Sequence, residues 1–514
     1  MSIVKETWQN NQGSIDSRLQ HTLNALHSWG SKTFGIIPRR IKKTQQDLHN
    51  LQQQQENHDI VHQIKNKELE LDDLLEKEEM WWSQRAKTLW LIHGDKNTKF
   101  FHQKASQRRR KNKIEAIKDA MNVTQTEKDN IEDIFLAYFK QLFTSQKPTN
   151  ILEVTQVVQN KLNQENHDFL DKNFTAEEVF MAIKEMKSLA APGPDGLPAR
   201  FYHTYWDIVG KDITNEVLHI LNNKGNPSHL NNTHICLIPK TNNPNYPSDF
   251  RPISLCNVTL KIITKTIANR LKTILHEIIS PNQSAFIPGR LITDNTLIAT
   301  EIFHYLSQTN RQKGFVGIKT DMAKAYDRLE WDFLHATLTA MNFPQNLIHT
   351  IMKCVTTVTF SILINGQPTK TFSPERGLRQ GDPLSPYLFI ICADVLSSLI
   401  TNAQQKQLIH GVKIAPGAPE ITHLFFADDS LIFCRANKEE TSNLKNIINK
   451  YQQASGQLVN FNKFELTFSK RVQQDTKLDI QQVLPMPMVD HFSKYLGQPT
   501  FIGRSKNQAS LLQF

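Results

Sequence analysis

The sequence predicts an α+β fold preceded by an all-α N-terminal extension, and three observations carry that expectation. Residues 39–79 contain neither Pro nor Gly, and Ile60, Ile64, Leu71 and Leu75 recur at steps of four, seven and four. That spacing puts them on one helical stripe. Beyond residue 196, short β-prone runs at 233–238, 315–320, 358–364, 422–427 and 431–434 are interrupted by helical stretches near 199–222 and 259–279. Strands mixed with helices in this way define an α+β unit. Between the two regions, Ala191-Pro192-Gly193-Pro194-Asp195-Gly196 forces a turn or loop.

From the N-terminus, residues 1–80 are expected to form a helical linker. Its 40–80 part reads as one or two long helices, in the manner of a helical hairpin. The acids Glu68, Glu70, Asp72, Asp73, Glu76, Glu78 and Glu79 form its solvent face. A coiled-coil dimer is the lesser alternative, since few clean heptads are present. Residues 81–185 follow as a basic, aromatic-rich extension in which 127–186 alternates helical patterns, and then come two further regions, 186–300 and 301–510. A chain of 514 residues has length for two or three globular pieces.

The formal net charge of +10 is concentrated. Residues 81–113 hold six Lys and four Arg against the single acid Asp95, together with Trp81, Trp82, Trp90, Phe100 and Phe101. Cations neutralise phosphates and aromatic faces stack on bases, so this window, and Arg108, Arg109, Arg110 and Lys111 within it, is a candidate nucleic-acid contact. A nuclear-localisation signal at 108–111 is the other reading of that run. Cys236, Cys256, Cys354, Cys392 and Cys434 are scattered with no C-x-x-C pair, which argues against a disulfide framework or zinc site. The opening MSIVKETWQNNQ lacks the apolar core of a signal peptide. The apolar stretch 388–393, stopped by Asp394, is too short for a membrane span and reads as a buried helix.

The strongest chemical signal is Phe425-Phe426-Ala427-Asp428-Asp429-Ser430-Leu431-Ile432-Phe433, two adjacent acids between β-prone runs. They fall at a hairpin tip, where paired carboxylates repel unless a cation neutralises them, and hard oxygen ligands select Mg2+. An ordinary Asp-rich turn gives the same local pattern. Asp321, at the end of the apolar run Phe315-Val316-Gly317-Ile318, supplies a third carboxylate to converge on the tip. Two Mg2+ ions held this way would activate an attacking 3′-hydroxyl and stabilise departing pyrophosphate. Tyr326 is expected to begin a helix and to place its ring against a ribose 2′-hydroxyl. In Arg376-Gly377-Leu378-Arg379-Gln380-Gly381-Asp382-Pro383, Gly381 permits close backbone approach to a nucleotide and Gln380 offers an amide to a template. A glycine-bearing loop leading into the next helix is the alternative reading.

Ten blocks, in order, resemble the reverse transcriptases of LINE-type non-LTR retrotransposons, especially those of plants. They are LWLIHGDKNTKFF (89–101), APGPDGLPARFY (191–202), LIPK (237–240), DFRPISL (249–255), QSAFIPGRLITDN (283–295), DMAKAYDRLEW (321–331), GLRQGDPLSP (377–386), FFADDS (425–430), SGQLVNFNKFELTFS (455–469) and YLGQPTFIGRSK (495–506). The resemblance implies a right-hand polymerase core, with fingers at 186–300 and a palm at 301–510 that ends in the start of the primer-grip and thumb connection. It makes Asp321, Asp428 and Asp429 the metal-binding catalytic set, for two Mg2+ ions or Mn2+ in their place, and Tyr326 the steric gate. Gln380 and Gly381 line the template and incoming nucleotide, and Lys240 and Arg251 face the triphosphate. Lys463 is a general acid for pyrophosphate, with a surface loop lysine as its alternative. Arg290 either touches template phosphates or pairs structurally within the fingers. Phe464 and Gln498 depart from the family's pattern, at positions that bear on packing.

The implied reaction is RNA-templated DNA synthesis from dNTPs on a DNA primer or target, with no membrane partner. The implied location is the nucleus, after a cytoplasmic ribonucleoprotein stage. The thumb is expected to be incomplete and the family's upstream endonuclease missing, so the chain reads as a fragment. Two alternatives stand beside this: a catalytically silent RNA-binding remnant, and a group II intron-type maturase. The DFRPISL and YLG blocks favour the LINE-type reading over the maturase.

Overall fold

The computed structural model describes residues 2–54, 58–86, 98–309, 314–459, 465–492 and 494–500. Its N-terminal part is all helical, with α1 (Ser2–Asn10), α2 (Ile15–Phe34), α3 (Ile37–Gln52), α4 (His58–Ala86) and α5 (Thr98–Lys111). Helices α3 and α4 form the expected hairpin, and Leu71, Leu74 and Leu75 close on Ile37 and Ile41. Helices α1 and α2 fold onto the body instead of extending as a linker. Trp8 is buried and its indole N–H donates to Asp212 at 2.9 Å, while Arg18 pairs with the same carboxylate and covers the Trp8 ring.

A short hairpin, β1 (Ile117–Lys118) with β2 (Thr124–Gln125), leads into α6 (Lys128–Phe143), α7 (Ile151–Thr155), α8 (Gln164–Asp171), α9 (Ala176–Lys184) and α10 (Ala199–Asn222). Then come β3 (Asn232–Pro239), β4 (Phe250–Cys256), α11 (Val258–Ile278), α12 (Ile292–Gln308), β5 (Phe315–Ala323), α13 (Trp331–Ala340), α14 (Gln345–Thr356), β6 (Thr359–Ile364) and β7 (Gln367–Pro368). The remainder is α15 (Ser385–Gln405), β8 (His423–Phe426), β9 (Asp429–Arg435), α16 (Lys438–Ser455), β10 (Leu458–Val459), β11 (Glu465–Phe468) and α17 (Gln474–Val483).

Two sheets organise these elements. One has the order β4-β3-β6-β7, with β3 antiparallel to β4 and parallel to β6. Its apolar side carries Ile235, Leu237, Phe250, Phe360 and Ile362, covered by Phe135, Phe139 and Phe143 of α6. The sheet therefore draws strands from both 186–300 and 301–510, so the two regions interleave instead of separating at residue 300. A parallel pair needs a long crossover, and everything from α11 to α14 lies within this one.

The second sheet runs β10-β5-β9-β8, with β11 also on β5. Both of its faces are buried. Val316, Ile318, Ile432 and Cys434 join the large core containing α11, α13, α15 and α16, while Phe315, Leu431 and Phe433 join Ile302, Phe303, Phe492 and Tyr495 on the other side. Gly317 lies opposite Phe433, and a Cβ there would come within 3.3 Å of that ring and 3.1 Å of Thr467. Helix α15 has the length and composition of a membrane span, yet its residues from Leu388 to Leu396 are packed in the core.

One buried ion pair ties the α6 side to the second sheet's layer. Arg376 and Glu330, both 2% exposed, meet at 3.1 Å, and Arg376 Nε donates to the Leu142 carbonyl. Glu330 also accepts from Ser145 Oγ and Gln146 N–H. Removing one partner leaves a charge without compensation. Arg376→Ala is expected to destabilise the fold by about 3–5 kcal/mol, and unchanged denaturation midpoints would refute this account of the joint.

Candidate active site

Strand β5 carries Asp321 to the rim of the second sheet and extends two residues beyond it, to Ala323. In the register of β5 with β9, Asp321 is directly opposite Asp429. Cβ atoms of such opposed residues lie roughly 4.5–5.5 Å apart on one face. Strands β8 and β9 form a tight hairpin in which Phe426 pairs with Asp429, so Ala427 and Asp428 alone make the turn. Ala427 takes a left-handed conformation, φ +54°, that an L-residue adopts only under constraint. Register and turn thus bring Asp321, Asp428 and Asp429 to one place, the latter two exposed.

Among the described residues, no three His, Cys, Asp or Glu side chains are drawn together into a ready-made metal cage. The three aspartates are brought close by pairing and turn geometry, and a cation would complete their convergence. An all-carboxylate donor set suits a hard oxygen-seeking ion such as Mg2+.

Tyr326 stands beside this carboxylate group. Burial, with the Asp428 charge second, holds its hydroxyl protonated far above the usual tyrosine range. Its ring stacks on Phe389 at 4.7 Å and 13°. The sequence placed Tyr326 at the start of a helix, but it lies in a turn, residues 324–328, and α13 begins only at Trp331. The turn opens on Lys324 at φ +54°, whose carbonyl takes the N–H groups of Asp327 and Arg328. Tyr495 lies on the other side, its hydroxyl pushed up by burial foremost and also by the Asp429 charge, against the lowering pull of its hydrogen bond with Asn295.

The sequence that builds this site matches a known family. The family Reverse transcriptase (RNA-dependent DNA polymerase) fits residues 238–499, which hold the whole second sheet, the first sheet from the end of β3 onward and all three aspartates. The chain belongs to the reverse transcriptase family. It is 24% identical over 350 residues to the transposon TX1 uncharacterized 149 kDa protein of Xenopus laevis, covering 68% of this chain and 26% of that protein. It is also 24% identical over 331 residues to the retrovirus-related Pol polyprotein from the type-2 retrotransposable element R2DM of Drosophila melanogaster, covering 63% and 28%. A 68-residue segment is 53% identical to an uncharacterized mitochondrial protein of Arabidopsis thaliana, covering 13% and 56%. The chain spans about a quarter of the length of the first two relatives. It carries a reverse transcriptase domain of the non-LTR retrotransposon kind.

The reverse transcriptase's remaining candidate residues fall into distinct settings. Lys240 and Arg251 are exposed at the tip of the β3–β4 hairpin, where Lys240 Nζ donates to the Ser248 carbonyl at 2.9 Å. Lys324 Nζ reaches the Phe250 carbonyl at 3.3 Å, so this hairpin touches the Tyr326 turn. Gly381, φ +112°, lies under β4, and a Cβ there would sit 3.0 Å from the Ser254 carbonyl oxygen. Gln380 is held by its amide, which donates to Asp327 Oδ1 at 3.0 Å, and by its carbonyl, which accepts Ser254 N–H at 2.8 Å.

Arg290 has its guanidinium on four backbone carbonyls of this chain, at Ser280, Gln283, His276 and Ile279, between 2.5 and 3.3 Å. That is the pairing the sequence had left open against a template contact. It ties the loop after α11 to that helix's last carbonyls, which need partners. Arg108, Arg109, Arg110 and Lys111 are exposed on the last turn of α5. Arg109 and Arg110 help line a cavity of about 530 Å³ against Leu237 and Leu363 of the first sheet. Lys463, Phe464 and Trp90 lie outside the described residues, while Gln498 closes a small turn with Tyr495.

Asp327 and Gln283 were absent from the sequence-derived site. Asp327 is the last residue of the DMAKAYD run and is 1% exposed, with Oδ2 unpartnered. Burial lifts its carboxyl to about 6, against the lowering pull of Lys324 and the Gln380 amide. The native state therefore keeps a proton that the unfolded chain gives up near pH 4. Stability linked to this group should fall as pH rises from about 4 to about 6 and be level above that. Asp327→Asn should remove that slope, as read from denaturant midpoints at pH 4.5 and 7. An unaltered slope would contradict the assignment.

Proposed function

We propose that the chain catalyses RNA-templated DNA synthesis, joining dNTPs to the 3′-hydroxyl of a DNA primer or target. The observation that carries this is Asp321 in register with Asp429, with Asp428 in the adjoining turn and Tyr326 beside it. Asp321, Asp428 and Asp429 would hold the Mg2+ ions, with Mn2+ as a substitute. When bound, these ions supply a lowered pKa for the attacking hydroxyl and charge neutralisation at the triphosphate. The hairpin cations Lys240 and Arg251 face the phosphates, and the Tyr326 ring, braced by Phe389, excludes a 2′-hydroxyl. Gly381, packed under β4, lets its loop lie close to where the nucleotide would sit. Lys463 serves as proton donor to pyrophosphate.

The RNA template is engaged in part through the exposed cations 108–111, whose charge releases counterions from phosphates. A plant source is supported by the 53% identity to the Arabidopsis segment. A chromosomal primer end would place the reaction in the nucleus, with the RNA met first in a cytoplasmic ribonucleoprotein.

Primer extension on an RNA template with dNTPs and Mg2+ tests the reading. Extension is expected from the unaltered chain and should drop by at least about a thousandfold in Asp428→Asn, as the loss of a metal ligand removes several kcal/mol of transition-state stabilisation. RNA binding with no extension by the unaltered chain would sink it and favour the silent RNA-binding remnant. Tyr326→Ala should raise ribonucleotide incorporation relative to deoxynucleotide by about tenfold or more. Unchanged discrimination would remove Tyr326 from the gate.

A further inference from the structure

Strand β8 is an edge strand, and its free side is covered by the segment 282–284. Phe425 N–H donates to the Asn282 carbonyl at 2.7 Å, and Ser284 N–H donates to the Phe425 carbonyl at 3.1 Å. The Asn282 amide donates to the His423 carbonyl, and the Asn295 amide to that of Phe425, both at 2.8–2.9 Å. Arg290 fastens the same segment to the end of α11.

Within this cover, Gln283 does something the backbone pairing does not. It is 1% exposed, and its Oε1 accepts two N–H groups, from Ala285 at 2.9 Å and from Ala427 at 3.1 Å. Two donors converging on one atom fix the amide's orientation, since the flipped form would set NH2 against N–H. Its Nε2 is buried with no hydrogen-bond partner. A buried amide donor left unpaired costs stability, so a well-packed apolar side chain would serve better if filling space were the only task.

Ala427 is the first residue of the two-residue turn bearing Asp428, and it holds the left-handed φ of +54° without being glycine. Its N–H is bonded to the Gln283 side chain, on the segment that covers β8. We propose that Gln283 is a positioning residue for the metal-binding turn: by accepting the Ala427 N–H it fixes the left-handed residue that aims Asp428 and Asp429 toward Asp321. The effect is that of an outer partner orienting metal ligands it does not replace, the kind of contact whose loss weakens metal binding about 10–100-fold. This inference rests on the polymerase reading above.

The test pairs Gln283→Met, similar in size but without an acceptor, with Gln283→Glu, which retains both acceptor positions. Mn2+ affinity, measured by the electron paramagnetic resonance of the free ion, is read beside primer-extension rate and melting temperature. The Met variant is expected to bind Mn2+ about tenfold more weakly and to need correspondingly more Mg2+ for half-maximal extension, with KM for dNTP within about twofold of the unaltered chain. The Glu variant should lie within about threefold of the unaltered chain in Mn2+ affinity. If the Met variant fails to fold, Gln283→Asn, one methylene too short to reach Ala427, carries the same expectation. Wild-type Mn2+ affinity in the Met or Asn variant overturns the assignment, as does a Glu variant that folds but binds no better than Met. An unaltered chain that neither binds Mn2+ nor extends a primer defeats the polymerase reading itself. One that does both, with the Met variant its equal, defeats only the role of Gln283.

Discussion

The antiparallel register of β5 and β9 is the constraint on which the site depends. Side chains alternate across a strand, so a one-residue slip would send Asp321 to the opposite face from Asp429 and turn Ile318 and Ile432 out of the core they share. Burial on both faces blocks that slip. One face is committed to the large helical core and the other to Phe303, Phe492 and Tyr495. Apolar packing thereby sets the position of three carboxylates that repel one another. Gly317, pressed between Phe433 and Thr467, marks how little slack the register has.

Around this register, polar groups other than the three aspartates join the two sheets. Lys324 reaches the β3–β4 hairpin, Gln380 pairs with Asp327 and with β4, and Glu330 and Arg376 bind the α6 side. Each is a buried or half-buried charge or amide whose partner comes from a distant part of the chain. Unpaired, such groups cost more than they contribute when paired. The relative placement of the β3–β4 hairpin, the 376–383 loop and the aspartate-bearing strands is therefore held by directional bonds, as well as by the core. Asp327 retains an unpartnered polar atom at this junction, and Gln283 one at the free edge of β8; each such buried group calls for an explanation.

Much of the local structure was legible because its signals are local. The 199–222 helix coincides with α10, and the α3–α4 hairpin follows the stripe through Leu71 and Leu75. The strands expected at 233–238, 315–320, 358–364, 422–427 and 431–434 are all present, each end within three residues of the expected one. Strand β4 went unread because Pro252 sits in its middle, where the sheet accommodates it on an edge strand. The Tyr326 helix was a misreading of a single turn stopped by Asp327 and Arg328 folding back on Lys324. Interleaving of the two sheets was invisible, since a parallel β3–β6 pair leaves no local mark.

By itself the sequence determined the chemistry on offer: three aspartates between β-prone runs, an aromatic near the first, glycine at a close approach, and a concentrated positive charge. Ligand type and turn propensity are properties of residues and their near neighbours, so they survive without a fold. Only the tertiary structure decided that Asp321 faces Asp429, that Arg290 spends its guanidinium on backbone carbonyls, and that Gln283 takes the N–H of Ala427. Those facts join residues more than a hundred positions apart or choose among partners a side chain can reach. Register, burial and the need to pair every buried polar group make that choice, and none of the three acts on a short stretch of chain alone.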